Sequence, residues 1–183
     1  LQKNSGKEMI KILFVCIHNS ARSQMAEAFL NSLGFENVKA ESAGLEEGKL
    51  NPIVVDAMKE VGIDISGNKT KTVYGFIKEG KHFHYIITVC DATSGERCPI
   101  FPGNPYKRLH WSFDDPSLFE GTHEEKLEKI RVVRDEIRSI VEEFAREFET
   151  GNILSSKTNA DRLSESIEQM KSGKTVTKNS LEK

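Results

Sequence analysis

The sequence predicts an α/β fold built on an open parallel sheet, and three observations carry that prediction. Ile10–Val15 is a short, β-branched and almost wholly apolar run, which reads as a buried strand. It is followed by a polar loop, Cys16–Ser23, and then by Gln24–Leu30, whose apolar residues recur at helical spacing. A second apolar run, Phe83–Val89, delivers a cysteine at its end as the first does, and open parallel sheets place their sites beyond the carboxyl ends of their strands.

The elements follow in order. A first helix is expected over about Arg22–Leu33, with Met25, Ala26, Phe29, Leu30 and Leu33 on its buried face and Gly34 as its stop. Val38–Ala43 alternates and ends at Gly44, a second strand placed near a sheet edge because half of it is polar. Asn51-Pro52 is a capping residue followed by a first-turn proline, so a helix begins there and runs through Val54, Val55, Met58 and Val61 to Gly62. A shorter helix holds Val73, Phe76 and Ile77. Arg108–Trp111 is a fourth, short strand, and the loop Ser112–Pro116 leaves it on the side of the first loop. The last long helix spans about 123–148, with Leu127, Ile130, Val133, Ile137, Ile140, Val141 and Phe144 as its apolar face and Glu and Arg as a solvated opposite face. Residues 149–183 have a different texture: a linker-like stretch, then a helix over about 159–171 with a thin apolar stripe. This extension docks on the main domain or on a partner, or is largely disordered.

Composition narrows the function. The chain has 183 residues, enough for one cored domain with something left over. Its net charge of -2 leaves no basic excess for nucleic acid. No apolar run approaches the roughly 18–20 residues that span a bilayer, and the polar Leu1–Glu8 is not a signal peptide, so Met9 reads as the natural start. Neither nucleic acid nor membrane is expected as a partner. The three cysteines, Cys16, Cys90 and Cys98, are odd in number and too few for a disulfide framework. In the cytoplasm, the expected location, that favours reactive thiols.

The chemistry gathers at Cys16–Ser23. A strand-to-helix turn offers backbone N–H groups and the positive end of a helix to an anion. Cys16 opens the loop and Arg22 closes it, with Ile17, His18, Asn19, Ser20 and Ala21 between. That spacing lets a ring of amides and one guanidinium fork converge on a tetrahedral oxyanion above the sulfur, in a field that favours the nucleophilic thiolate. A cysteine ending a strand is commonly a small core hydrophobe, but Arg22, Ser20 and Ser23 at this spacing point to chemistry. Ser23 is expected to donate to the Cys16 thiolate, and Asn19 to hold an unusual backbone geometry. Three cysteines lack the close pairing of a zinc site, and His82, His84 and His110 read as flanking or packing residues, so no metal is expected. A relay fits better. A thiolate that attacks an electrophilic oxyanion is resolved by a second thiol, and the disulfide passes to a third on the polar segment between Cys90 and Cys98. Asp115 supplies the acid for the departing oxide or hydroxide, with Asp114 the neighbouring candidate; as turn chemistry, Asp-Pro would explain both.

Together the Cys16–Ser23 loop, Gln24-Met25-Ala26-Glu27, the Cys90 and Cys98 pair and His110–Pro116 resemble the thioredoxin-coupled arsenate reductases, which share the fold of the low-molecular-weight protein tyrosine phosphatases. The resemblance covers about residues 9–148. It implies a three-layer α/β/α domain with a four-stranded parallel sheet in the order 2-1-3-4, followed by the extension 149–183. It also implies a cycle. Arsenate binds against Arg22; Cys16 attacks arsenic while Asp115 protonates the leaving hydroxide. Cys90 attacks Cys16 and releases arsenite, and Cys98 takes over the disulfide for reduction by thioredoxin. No cofactor is bound in that cycle. Where this sequence departs, His18 stands for a common glycine, Ala21 for an additional cysteine, and the Cys90–Cys98 interval is one residue longer than in some members. Some members hold potassium beside the loop. Asn19, Glu27 and Ser42 match that site, but the region around Lys71 lacks the acidic residue they use, and no potassium is expected. The rival function within the same fold is a tyrosine phosphatase using Cys16, Arg22 and Asp115. It needs neither Cys90 nor Cys98, and Ser117-Leu118-Phe119 lacks the tyrosines that frame an aromatic substrate there.

Overall fold

The computed structural model describes residues 8–91 and 100–149. Four strands, β1 (Ile10–Cys16), β2 (Val38–Gly44), β3 (Tyr85–Thr88) and β4 (Lys107–His110), form one parallel sheet in the order β2-β1-β3-β4. Helix α1 (Arg22–Ser32) links β1 to β2; α2 (Pro52–Glu60) and α3 (Val73–Lys78) lead from β2 to β3; α4 (His123–Glu149) follows β4. Because β1 sits centrally, the chain leaves it toward β2 on one side and returns to β3 on the other. The sheet therefore changes direction at β1, and the crevice beyond the carboxyl end of that strand is where such sheets bind ligands. Cys16 is the last residue of β1.

Burial explains the strand roles. Ile12, Leu13, Phe14 and Val15 are all fully buried, as a strand covered on both faces requires. Leu13 and Val15 join Ala43, Ile86, Val73, Phe76, Phe83 and Phe101 in one cluster, while Phe14 meets Trp111 at 5.7 Å between ring centroids. Each such large side chain contributes about 1.5–3 kcal/mol by leaving water. The edge position expected of β2 is found, and so is the short fourth strand, whose side chains alternate between half-buried and exposed. Helix α1 ends one residue early: Leu33 is its C-cap and is largely exposed, because Gly34 at φ +72° turns the chain away. Asn51 caps α2, its side chain accepting from the Ile53 N–H at 3.0 Å, with Pro52 in the first turn as predicted.

The polar face of α4 is more than solvated surface. Arg134 is buried, and its Nη1 donates to the Ala57 carbonyl at 2.8 Å and to Glu60 at 2.9 Å. Arg131 adds a fork onto Glu60, with Nη2–Oε1 at 2.7 Å and Nε–Oε2 at 3.0 Å. Tertiary placement of α2 against α4 makes this clamp, which helical periodicity cannot register. The hydrogen bond from Arg131, more than the smaller opposing effect of burial, lowers the Glu60 carboxyl from 4.5 to about 2. A carboxyl depressed on folding stabilises the native state above its unfolded value and stops doing so as pH falls. The clamp's contribution is thus expected to fade between pH 4.5 and about 2, and Glu60→Gln to remove that part of the pH dependence of thermal unfolding. Parallel melting curves for parent and variant over that range would refute it.

The described residues part at Val141, inside α4, into the units Leu1–Val141 and Glu142–Lys183. Of the second unit the described part is the end of α4, where Phe144 and Phe148 meet edge to face at 5.0 Å. The helix expected over 159–171 and the rest of the extension lie outside the described residues.

Candidate active site

The loop between β1 and α1 is held from behind by its own carbonyls. Those of Cys16, Ile17 and Ser20 accept from the backbone N–H groups of Leu45 (3.1 Å), Glu46 (2.9 Å) and Asn51 (2.9 Å). With carbonyls tied back, the loop presents N–H groups forward. The start of α1 adds to this, since Ala21 at its N-cap has no side-chain acceptor to satisfy the first-turn amides. The tying strand must come very close. A Cβ on Gly44 would lie 2.7 Å from the Asn19 nitrogen and the Ile17 carbonyl, and one on Gly48 would lie 2.3 Å from the His18 carbonyl. Both positions admit only glycine unless the loop moves, a role the sequence reading missed because the approaching backbone comes from another part of the chain.

Inside the loop, Asn19 has the unusual backbone geometry expected of it, and Ser23 comes within hydrogen-bond distance of Cys16. Asn19 takes φ +52°, the one described non-glycine residue in that region, where Asn is tolerated better than most. This turns its N–H onto Cys16 Sγ at 3.0 Å, and Ser23 Oγ stands 2.9 Å from the same sulfur. Cys16, Asn19 and Ser23 are all buried. His18 is half-exposed, with Nδ1 3.7 Å from Glu46.

Arg22 is buried, against the usual solvated fate of a charge early in a helix. Its Nη1 donates to the Phe113 carbonyl at 3.2 Å, and its Nη2 lies 3.0 Å from Asp115 Oδ2. Asp115 is only 11% exposed and Asp114 is exposed, so the fold separates the two candidates and brings Asp115 to the loop. The turn explanation holds as well: Asp115 Oδ1 caps a short 3-10 helix, Pro116–Leu118, through the Ser117 N–H at 2.9 Å. One carboxylate thus serves the turn with one oxygen and Arg22 with the other.

Cys90 is buried and, like Cys16, is in no disulfide. Val15 pairs with Thr88, and the Val89 N–H donates to the Val15 carbonyl at 2.8 Å, so Cys90 emerges beside the base of the loop. Cys98, within 92–99, lies outside the described residues. His84 belongs to the opposite end of the sheet, where its Nδ1 accepts from the Lys11 N–H at 2.9 Å, and His110 Nδ1 meets Thr88 Oγ1 at 2.8 Å. Among the described residues no three His, Cys, Asp or Glu side chains group as metal ligands, and no helix is long and apolar enough to cross a membrane.

A strand–loop–helix with a cysteine at its start, an arginine at its end and an aspartate delivered opposite can be compared with known proteins. The sequence matches the low molecular weight phosphotyrosine protein phosphatases over residues 11–152. The chain belongs to that family. Within it, the chain is 43% identical over 140 residues to the arsenate reductase of Bacillus subtilis strain 168, spanning 76% of this chain and 96% of that protein. A solved arsenate reductase in the phosphate-binding state superposes with a TM-score of 0.62 at 32% identity, covering 76% of this chain and 98% of the other. An arsenate reductase in an oxidized state gives 0.58 at 30% identity, covering 74% and 95%. The family's four-stranded parallel sheet in the order 2-1-3-4 is the one described above.

Proposed function

We propose that this chain is an arsenate reductase whose cycle runs through Cys16, Cys90 and Cys98 and is recharged by thioredoxin. The observation that carries the proposal is the second thiol. Phosphoryl transfer needs only Cys16, Arg22 and Asp115. A buried Cys90 in no disulfide, just past the end of the neighbouring strand, is what a two-electron reduction adds, and the chain's relatives named above are arsenate reductases.

In this mechanism the loop amides and the Arg22 fork hold arsenate with arsenic over Cys16 Sγ. An incoming oxyanion shares Arg22 with the Phe113 carbonyl and Asp115, which keeps the guanidinium oriented beforehand. The thiolate forms an S–As bond while hydroxide leaves as water on a proton from Asp115. The Cys90 sulfur attacks Cys16 sulfur. A Cys16–Cys90 disulfide forms, the S–As bond breaks, and its electron pair stays on arsenic, taking it from As(V) to As(III). Cys98 then attacks Cys90, freeing Cys16 as thiolate, and thioredoxin's dithiol reduces the Cys90–Cys98 disulfide. Free thiols of this kind belong to a reducing compartment, and the cytoplasm is the location proposed. A contact through residues 149–183 remains part of the proposal as a partner surface.

The family's name supports a second reading, hydrolysis of phosphotyrosine by Cys16, Arg22 and Asp115. One experiment separates them: arsenate-dependent NADPH oxidation with thioredoxin and thioredoxin reductase, run beside hydrolysis of an aryl phosphate. Robust NADPH consumption with slow phosphate-ester hydrolysis is expected. Fast hydrolysis with no NADPH consumption would establish the phosphatase instead.

A further inference from the structure

We infer that Lys71 is a positioning residue for Cys16: its ammonium group, paired with Glu27, closes a hydrogen-bond chain that ends in a proton donated to the Cys16 sulfur. This rests on the reading of Cys16 as a thiolate nucleophile, and goes beyond it by placing one determinant of that state in a segment remote from the loop in sequence.

The chain can be followed atom by atom. Lys71 Nζ lies 2.9 and 3.1 Å from the two carboxylate oxygens of Glu27, both side chains being mostly buried. Glu27 Oε2 accepts from Ser42 Oγ. Ser42 Oγ in turn receives an N–H from Asn19 Nδ2 at 2.8 Å, and the same Nδ2 reaches Ser23 Oγ at 2.9 Å. Ser23 Oγ is 2.9 Å from Cys16 Sγ.

Donor counting fixes the direction. A carboxylate facing an ammonium only accepts, so the single hydroxyl proton of Ser42 goes to Glu27 and its oxygen is left to accept. The Asn19 amide has one permitted orientation, because its Oδ1 receives the Lys71 backbone N–H at 2.8 Å and Gln24 Nε2 at 3.1 Å. Both protons of Nδ2 are therefore spent on the two serines. Ser23 accepts from Asn19 and has one proton of its own; a Cys16 thiolate can only accept, so that proton goes to the sulfur. Lys71 fastens this arrangement three times: Nζ on Glu27, N–H on Asn19, and its carbonyl on the Gly44 N–H at 2.8 Å. Without the ammonium, the Glu27 charge faces the chain uncompensated, and both the tether on Asn19 and the bias toward O–H···S⁻ weaken. Among the described residues, the other charged or titratable groups at this end of the sheet include Arg22 from α1, His18 in the loop with Glu46 beside it, Cys90 and Asp91 after β3, His110 at the end of β4, and Asp114 and Asp115 beyond it. None of these belongs to the Lys71–Ser23 chain.

The test is an ultraviolet thiolate titration, below the range where tyrosine ionises, of the full-length protein carrying Cys90→Ser and Cys98→Ser, so that Cys16 is its one thiol. Lys71→Met is expected to move the midpoint up by about one pH unit, a tenfold loss of thiolate below the midpoint, with unchanged amplitude. Lys71→Arg should stay near the parent. Ser42→Ala, which cuts the chain while leaving the ion pair, should produce a similar shift, and Lys71→Met should then add little to it. Superimposable titrations for parent and Lys71→Met overturn the inference, as do fully additive effects of the two substitutions, which would mean action through space and not along the chain. Should Lys71→Met not fold, an unmoved midpoint in Ser42→Ala overturns it alone. A parent midpoint at the ordinary thiol value of about 8.5 would instead sink the nucleophile reading itself.

Discussion

Cys90→Ser is expected to abolish thioredoxin-coupled turnover, by at least about a thousandfold, while leaving Cys16 able to react once. Serine nearly matches cysteine in size, and Cys90 is fully buried at the end of a sheet strand, so the substitution is expected to preserve the fold. What it removes is the sulfur that takes over the disulfide. Arsenate would then bond to Cys16 with no route to arsenite, and intact-mass measurement should find one arsenic per chain. Cys98→Ser separates the later step: it should release about one equivalent of arsenite and stop as the Cys16–Cys90 disulfide. Arsenite release by Cys90→Ser at the parent rate, or equal multiple-turnover rates for Cys98→Ser and the parent, would end the relay.

The second large effect is expected at Arg22. Arg22→Lys keeps the charge but replaces a planar fork by a single point donor group. In the structure that fork reaches the Phe113 carbonyl with one nitrogen and Asp115 with another, 3.2 and 3.0 Å away. An ammonium on a flexible stem cannot keep both and still grip two oxygens of a tetrahedral anion. By comparison with the loss of a preorganised donor from other oxyanion sites, kcat/KM for arsenate should fall by about 10²–10³-fold, or about 2.7–4 kcal/mol of transition-state stabilisation. Inorganic phosphate gives an independent readout. It should raise the melting temperature of the parent and do so far less for the variant, since a ligand stabilises only the state it binds. Equal phosphate-induced shifts together with unchanged kcat/KM would remove Arg22 from the site.

Much of this architecture was legible from local signals. The strand at Ile10, the Asn51-Pro52 start of α2, the long apolar face of α4 and the Cys16–Ser23 loop are each written in one continuous stretch of chain, where side-chain type and spacing act directly on backbone preference and burial. The same holds for Asn19, whose tolerance of positive φ is intrinsic to its short polar side chain, and for Ser23, one helical turn from it. Other features depend on segments far apart in the chain. The choice of Asp115 over Asp114 came from which carboxylate the loop after β4 turns toward Arg22. Glycine at 44 and 48 is required by a backbone approaching from the loop 17–19. Arg134, which its charge assigns to solvent, is buried against α2. Lys71, 44 residues from Glu27, has no local mark at all; its partner and its hold on Asn19 exist only once the segment after α2 crosses to the loop. The sequence by itself thus determined the elements and the Cys16–Ser23 strand-to-helix loop, because these follow from short-range spacing. The tertiary structure alone decided which charges meet and which hydrogen bonds have a direction, because those depend on distances that only the packed sheet and helices set.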